Sequence, residues 1–238
     1  MEQFSEKNIL IIGGSTGIGL EIIKKLKSEN ANIFVGSRHK GDLDENIKHF
    51  EVDINGDISQ LINNLPPTLH GVVYCPGSIN LKPFGRLTEN DFLNDFKINV
   101  LGAVKILQSV ITKLKNSNGA SVVLFSTIAV KTGLGFHASI AAAKGGVEGL
   151  TVSLAAEFAQ SKIRFNAIAP SLTDTPLASS LLSTPEKKEA SNKRHPLGRY
   201  GTADDIASAA IFLLSDQSSW MTGQILNIDG GMSVIKSF

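Results

Sequence analysis

The stretch NILIIGGSTGIGLEIIKKL, Asn8 to Leu26, changes its periodicity halfway along. Ile9 to Ile12 form an unbroken apolar run of strand length. Gly13, Gly17 and Gly19 interrupt it, and beyond them Ile18, Ile22, Ile23 and Leu26 recur at intervals of three and four, the spacing of one helical face. The order is therefore strand, glycine turn, helix. In such a unit Gly13 permits the tight turn, Gly17 lets backbone approach a pyrophosphate and Gly19 allows close helix packing. Ser15, Thr16 and Ile18 complete a loop whose helix N-terminus offers free N–H groups to an anion. A strand before, a helix after and a position in the first βα unit point to nucleotide binding rather than an ordinary turn.

Outward from this unit, ANIFVGSR (Ala31 to Arg38), HFEVDI (His49 to Ile54) and HGVVYC (His70 to Cys75) read as the second to fourth strands. A long helical pattern from Thr88 to Leu114, with a break near Lys97, carries Phe92, Phe96, Val100, Val104 and Leu107 on one face. ASVVLFS is a fifth strand, Ala138 to Gln160 a helix, Ile163 to Pro170 a sixth strand, Thr202 to Leu214 a helix and Gln224 to Asp229 a last strand. The segment from Ser171 to His195 is polar and punctuated by proline. Parallel strands need helical crossovers, so this alternation implies a parallel sheet covered on both faces. The expected architecture is α/β: a single doubly wound Rossmann domain over residues 1–238, with a mainly parallel seven-stranded sheet, helices on both faces and a substrate lid around 175–195.

The composition narrows the function. With 238 residues, 42% of them hydrophobic, the chain buries a core without help from a metal or disulfide. A formal charge of +1 with scattered lysines and arginines argues against nucleic acid as a partner. Cys75 is the only cysteine, which excludes an intramolecular disulfide and multi-cysteine metal sites and suits a reducing compartment. The opening MEQFSEKNIL lacks the basic segment and apolar core of a signal peptide. No run approaches the ~20 apolar residues of a membrane span. A cytoplasmic protein without membrane partners is expected.

The end of the second strand bears on which nucleotide is held. An acidic residue there would accept from a free ribose hydroxyl, but the chain has Ser37, Arg38, His39 and Lys40, with no carboxylate before Asp42. The guanidinium fork of Arg38 suits a 2′-phosphate. NADP(H) is preferred, with NAD(H) left open. Asp53 and Ile54 close the third strand where an adenine edge would lie, although a turn-forming aspartate is the alternative for Asp53.

A second stretch, FSTIAVKTGLGFHASIAAAKGGVEGL from Phe125 to Leu150, ends a strand on Ser126 and Thr127, crosses a glycine loop and enters an alanine-rich helix carrying Lys144. Strand end, loop and helix start meet beyond the carboxyl ends of the sheet, where α/β folds hold ligands. Ile140 lies one helical turn before Lys144, on the same face.

Taken together, these segments resemble the short-chain dehydrogenase/reductase family over nearly the whole chain. GGSTGIG matches that family's cofactor loop, with Ile12 where threonine is common. YCPG (Tyr74 to Gly77) stands where Asn-Asn-Ala-Gly is usual and keeps Gly77. INVLGAV supplies Asn99, matching the active-site asparagine. NAIAPSLTDTPL matches the loop around the nicotinamide through Pro170, Thr173 and Thr175, with Ser171 in place of a glycine. The run from His195 to Gly231 is close to the C-terminal signature.

The resemblance implies a nicotinamide cofactor, a small-molecule substrate and a homo-oligomer, tetramer or dimer. It assigns the cofactor-holding lysine to Lys144, the water-ordering asparagine to Asn99 and the serine position to Thr127. The tyrosine acid falls on Ile140, which cannot move a proton, and Tyr74 and Tyr200 lie far away in the sequence. Three readings follow. A reductase may take its proton elsewhere, from His137, Ser139 or a water held by Lys144; an imidazole, with an ordinary pKa of about 6.5, suits the task. An enoyl thioester substrate needs less acid help, because charge collects on an enolate held by hydrogen bonds. The third reading is a catalytically inactive NADP(H)-binding sensor or partner subunit. Pro83 and Phe84 are candidates for the pocket wall.

Overall fold

The computed structural model describes residues 3–236. Its main sheet has seven strands in the order β3-β2-β1-β4-β5-β6-β9: β1 (Asn8–Ile12), β2 (Asn32–Ser37), β3 (Lys48–Glu51), β4 (Gly71–Tyr74), β5 (Ala120–Phe125), β6 (Ile163–Pro170) and β9 (Ile225–Ile228). Every pairing is parallel, so the expectation of a mainly parallel sheet is met in full. The strand order reverses between β1 and β4, which opens a crevice beyond their carboxyl ends.

Alternation along β1 builds the two faces. Leu10 and Ile12 join a core with Ala103, Ile106 and Val110 of α4 (Gly102–Lys115) and Val147 of α5 (Ala138–Phe158). Ile9 and Ile11 point the other way, to Ile22, Ile23 and Leu26 of α1 (Gly17–Ser28) and Ile206, Ala210 and Leu213 of α7 (Ala203–Leu214). Successive side chains of a strand face opposite sides, so an apolar run without polar gaps requires helices on both faces.

Several elements differ from expectation. The helix foreseen from Thr88 runs through Lys97 without a break: α3 (Glu89–Phe96) passes through a π-turn at Lys97–Leu101 into α4. Tyr74 causes this widening. Its hydroxyl donates to the Ile98 carbonyl at 2.6 Å, and a Cβ at Gly102 would overlap that hydroxyl. Single π-turns occur where an inserted group takes over a helical carbonyl. The polar stretch before His195 is more ordered than its composition suggests. After the short strand β7 (Thr173–Asp174) come a 3-10 helix at Pro176–Leu182 and the helix α6 (Pro185–Arg194), started by Thr184, whose hydroxyl accepts from the Lys187 N–H. β7 pairs with β8 (Gly201–Thr202) in a small separate ribbon. A short helix, α2 (Ser59–Asn63), was also unforeseen.

Candidate active site

Two adjoining cavities lie beyond the carboxyl ends of the strands. The first, a cleft of about 580 Å³, is floored by the glycine turn. Gly13 and Gly17 have φ of +76° and +56°, in the left-handed region that glycine enters without strain. A Cβ at Gly19 would overlap the Gly13 carbonyl oxygen and lie 2.9 Å from Gly14 Cα. Ser15, Thr16 and Ile18 line the same cleft. Thr16 occupies the N-cap position of α1 in extended conformation, but its side chain accepts no capping bond and the first turn holds no acid. The first N–H groups of α1 are thus left for an anion in the cleft.

The far end of the cleft is lined by Ser37, Arg38, His39, Asp53 and Ile54. Arg38 is exposed and forms no ion pair among the described residues. Ser37 is different. Its hydroxyl donates to the His39 carbonyl at 2.8 Å and meets His49 Nε2 at 2.9 Å, so its oxygen is already used within the protein. Asp53 Oδ1 accepts from the Asn55 N–H at 2.9 Å, the turn-forming role, while the residue still faces the cleft.

The second cavity is a chamber of about 440 Å³ that shares Ile18, Cys75, Gly77, Thr175 and Leu177 with the cleft. Thr127, His137, Ile140 and Lys144 all line it, as do Pro170, Ser171 and Thr173. Lys144 is buried, and its ammonium donates to the Phe125 carbonyl at 2.7 Å. Burial pushes its pKa down to about 8, against the opposing pull of the nearby Asp95 carboxylate. Burial conversely raises the Cys75 thiol to about 12, where it stays protonated at neutral pH. Ser126 donates to Glu148 Oε1 at 2.7 Å. The Thr127 hydroxyl accepts from the Ala129 N–H and reaches toward the Pro170 carbonyl at 3.5 Å.

Asn99 lines neither cavity. It is buried behind Gly77, where a Cβ would stand 3.4 Å from Asn99 Oδ1 and 3.6 Å from Lys144 Nζ. Its Nδ2 donates to Ser78 Oγ at 3.0 Å and the Asp95 carbonyl at 2.8 Å, while Oδ1 has no partner among the described residues. A buried acceptor left open beside a lysine is the kind of group a bound molecule or water satisfies. The uncapped helix, the bare glycine floor and this open acceptor together fit a dinucleotide lying from Arg38 to Lys144.

Other expectations fail on geometry. Ser139 is buried, its hydroxyl has no partner and it does not line the chamber, because it sits on a different face of α5 from Ile140 and Lys144. Pro83 and Phe84 are also outside the chamber wall, and Phe84, 76% exposed, is not core packing either. His137 stands just before α5, one ring nitrogen 2.7 Å from the Gly135 carbonyl. Neither tyrosine lines a cavity: the Tyr74 hydroxyl is taken up by the Ile98 carbonyl under the π-turn, and Tyr200 lies outside both.

Three chamber-side residues went unnoticed in the sequence. Ser78 lines the chamber and donates to Asp95 Oδ1 at 2.5 Å. Asp95 and Asn99, four apart on one helical face, carried a readable signal: two polar residues at core positions. His195 carried none, since a histidine at a helix end reads as surface. It is in fact buried and lines the chamber.

A doubly wound parallel sheet with a glycine-floored cleft at its switch point and a lysine-bearing chamber beside it defines a Rossmann-type dinucleotide-binding protein. A family model described as enoyl-(acyl carrier protein) reductase matches residues 13–233. The chain belongs to the short-chain dehydrogenase/reductase family, whose members are oxidoreductases that use NAD(P)(H) on small-molecule substrates. It is 31% identical to a 3-oxoacyl-[acyl-carrier-protein] reductase of Thermotoga maritima, covering 96% of this chain and 98% of that protein. It is also 31% identical to a tropinone reductase homologue of Arabidopsis thaliana, over 95% and 93% of the two chains. Among solved structures it is similar to ElxO with NADP bound, at 25% identity and a TM-score of 0.85 over 95% of this chain and 98% of that one. No helix among the described residues is long and apolar enough to cross a membrane.

Proposed function

We propose that this protein is an NADP(H)-dependent reductase of a carbonyl or enoyl substrate whose active site works without a tyrosine acid. The observation that carries this reading is the junction at Gly77, where Lys144 and the open acceptor of Asn99 converge between cleft and chamber. When bound, the dinucleotide supplies a hydride. The glycine turn and the N-terminus of α1 hold the pyrophosphate, Arg38 holds the 2′-phosphate, and Asp53 and Ile54 border the adenine. Lys144 holds the nicotinamide half, with Asn99 backing it from behind Gly77 and Pro170, Thr173 and Thr175 closing over it. Thr127 and the Lys144 ammonium face the substrate oxygen, and a cation there stabilises negative charge as it develops. Ile140, one turn away on the same face of α5, makes the wall beside Lys144 apolar. That NADP is bound to ElxO, a 3-oxoacyl thioester reductase is among the relatives and the family model carries an enoyl reductase description supports both cofactor and substrate class.

In this reading the chain acts as one dinucleotide-binding domain and residues 175–195 serve as the lid, since Leu177, Ala178 and Leu181 roof the chamber. A homo-oligomer, dimer or tetramer, is supported by the exposed Leu93, Phe96, Leu101 and Val152. A single, half-buried cysteine suits the cytoplasm.

Fluorescence titration with NADPH and NADH tests the cofactor. NADPH should bind tighter, and Arg38→Ala should cost about tenfold in NADPH affinity, the scale of a charge-assisted bond; equal affinities untouched by Arg38→Ala defeat the assignment. Turnover of acetoacetyl and crotonyl thioesters of N-acetylcysteamine with NADPH tests the reaction. Ile140→Tyr should raise the rate on the ketone by roughly 10²-fold, the usual contribution of a placed acid. Turnover by the tyrosine variant alone defeats the reductase reading for these substrates.

A further inference from the structure

We propose that Ser171 and His195 form a proton relay that serves the chamber in place of the missing acid, Ser171 donating to the substrate oxygen and His195 recharging it. This rests on the reductase reading above. His195 Nε2 lies 2.9 Å from Ser171 Oγ, and its Nδ1 lies 2.7 Å from the Ser191 carbonyl. A carbonyl can only accept, so Nδ1 carries the ring hydrogen. That leaves Nε2 as the nitrogen whose proton comes and goes, and its sole partner among the described residues is the Ser171 hydroxyl.

The placement suits the task. Ser171 follows β6 directly, and the ends of β5 and β6 are neighbours: Phe125 pairs with Ile168, and Thr127 reaches toward the Pro170 carbonyl. Ser171 is therefore one strand away from Thr127 and from the Phe125 carbonyl that anchors Lys144. Ser171, His195, Thr127, Phe125, Pro170 and Lys144 all line the chamber. Both members of the pair are held by backbone. The Ser171 N–H donates to the Ile228 carbonyl, the His195 N–H donates to the Asn192 carbonyl, and the next turn is tied to β9 through the Leu197 N–H and the Gly230 carbonyl. His195 is 3% exposed, so its ring is fixed by packing as well as by two hydrogen bonds. His137, the other imidazole on the wall, has a recorded partner only in its own loop at Gly135 and is linked to no hydroxyl.

In the reductive direction the ring starts as the imidazolium, with Nε2–H donating to Ser171 Oγ. As hydride from the reduced nicotinamide reaches the substrate carbon, the C=O electron pair passes to oxygen. That oxygen takes the Ser171 hydroxyl proton, and Ser171 Oγ takes the Nε2 proton. His195 is left neutral, Nδ1–H still on the Ser191 carbonyl, and solvent returns one proton. For an enoyl thioester the hydride goes to the β-carbon and the same transfer is made to the enolate oxygen, giving an enol that tautomerises by moving its O–H proton to the α-carbon.

The rival role for the pair is a latch that fastens α6 to β6 and shapes the chamber. The same two thioesters with NADPH separate the two. In Ser171→Ala and His195→Gln, kcat should fall about 10²-fold, with KM and NADPH affinity within twofold of wild type. The double variant should be no slower than either single, because the two act as one unit, and Ser171→Thr should keep most of the rate. Thermal unfolding within a few degrees of wild type certifies the fold of each variant. A second readout needs no cofactor: in ¹⁵N spectra of the free protein, His195 Nδ1 should carry hydrogen and the Nε2 resonance should move in Ser171→Ala. A raised KM with unchanged kcat, losses that multiply, a ring without hydrogen on Nδ1, or loss of turnover in His137→Ala but not His195→Gln each overturns the relay. If wild type binds NADPH but reduces neither thioester, the reductase reading falls and the relay with it; turnover that persists in both variants sinks the relay alone.

Discussion

The cleft and the chamber share five residues but are built by opposite means. The cleft floor is one contiguous turn, and most of what it offers a ligand is backbone: two glycines at positive φ, a glycine that tolerates no Cβ, and an uncapped helix N-terminus. The chamber is assembled from side chains on the ends of β4, β5 and β6, the start of α5, the 3-10 helix after β7 and the end of α6. A backbone site survives most changes of side chain and fails at glycine. A side-chain site depends on which segments meet, so one member can change and another be drawn from a different segment.

Substitution at Gly19 should break the first half of this contrast with the largest effect. An alanine Cβ there meets the Gly13–Gly14 backbone, and backbone cannot move aside as a side chain can. Gly19→Ala should cost at least ~3 kcal/mol, the upper end for overpacking, and lower NADPH affinity by 10²-fold or more in a fluorescence titration. Normal binding and a normal unfolding midpoint would show that the turn has room to spare.

Lys144 sharpens the second half through pH. Its pKa falls from an ordinary 10.5 to about 8 on folding, so below pH 8 the folded protein carries a desolvated charge that the unfolded chain hydrates freely. Between about pH 8 and 10.5 the unfolded state binds more protons than the folded one, so unfolding free energy rises with pH. The full rise from this residue is roughly 3 kcal/mol. Urea unfolding across that window should show it in wild type and not in Lys144→Met. Equal slopes in the two proteins would mean that the ammonium is better solvated than its burial implies.

Tyr74 tests the joint between the two regions with the smallest effect. Tyr74→Phe leaves the Ile98 carbonyl without its donor and should cost about 1–2 kcal/mol. It also releases the constraint that widens the helix before Asn99, so turnover should fall further than stability alone explains. A variant as stable and as active as wild type would show that Gly102, not the hydroxyl, sets the π-turn.

How much of this was legible follows from the same contrast. The glycine turn, the alternation of strands and helices and the placing of Ile140 with Lys144 on one helical face were all readable, because each depends on residues within about twenty positions of one another. The π-turn was not: its cause is a tyrosine on β4 and a glycine on α4, residues 74 and 102, brought together only by the sheet. The helix α6 was hidden by its composition, since PEKKEASNKR has few apolar residues to mark a face. Its start is set by a local cap at Thr184, a signal that outweighs the absence of an apolar stripe.

What the sequence determined by itself is therefore the architecture and the glycine-floored cleft, whose information lies in hydrophobic period and in glycines that only certain backbones require. What the tertiary structure decided is which side chains meet in the chamber. Ser171 and His195 stand 24 residues apart, and neither carries any mark of the other. Ser139 and His137, close neighbours of Lys144 in sequence, divide between core and chamber wall. Local sequence sets backbone conformation through sterics and hydrogen bonding, whereas the meeting of distant side chains depends on how helices pack across a finished sheet.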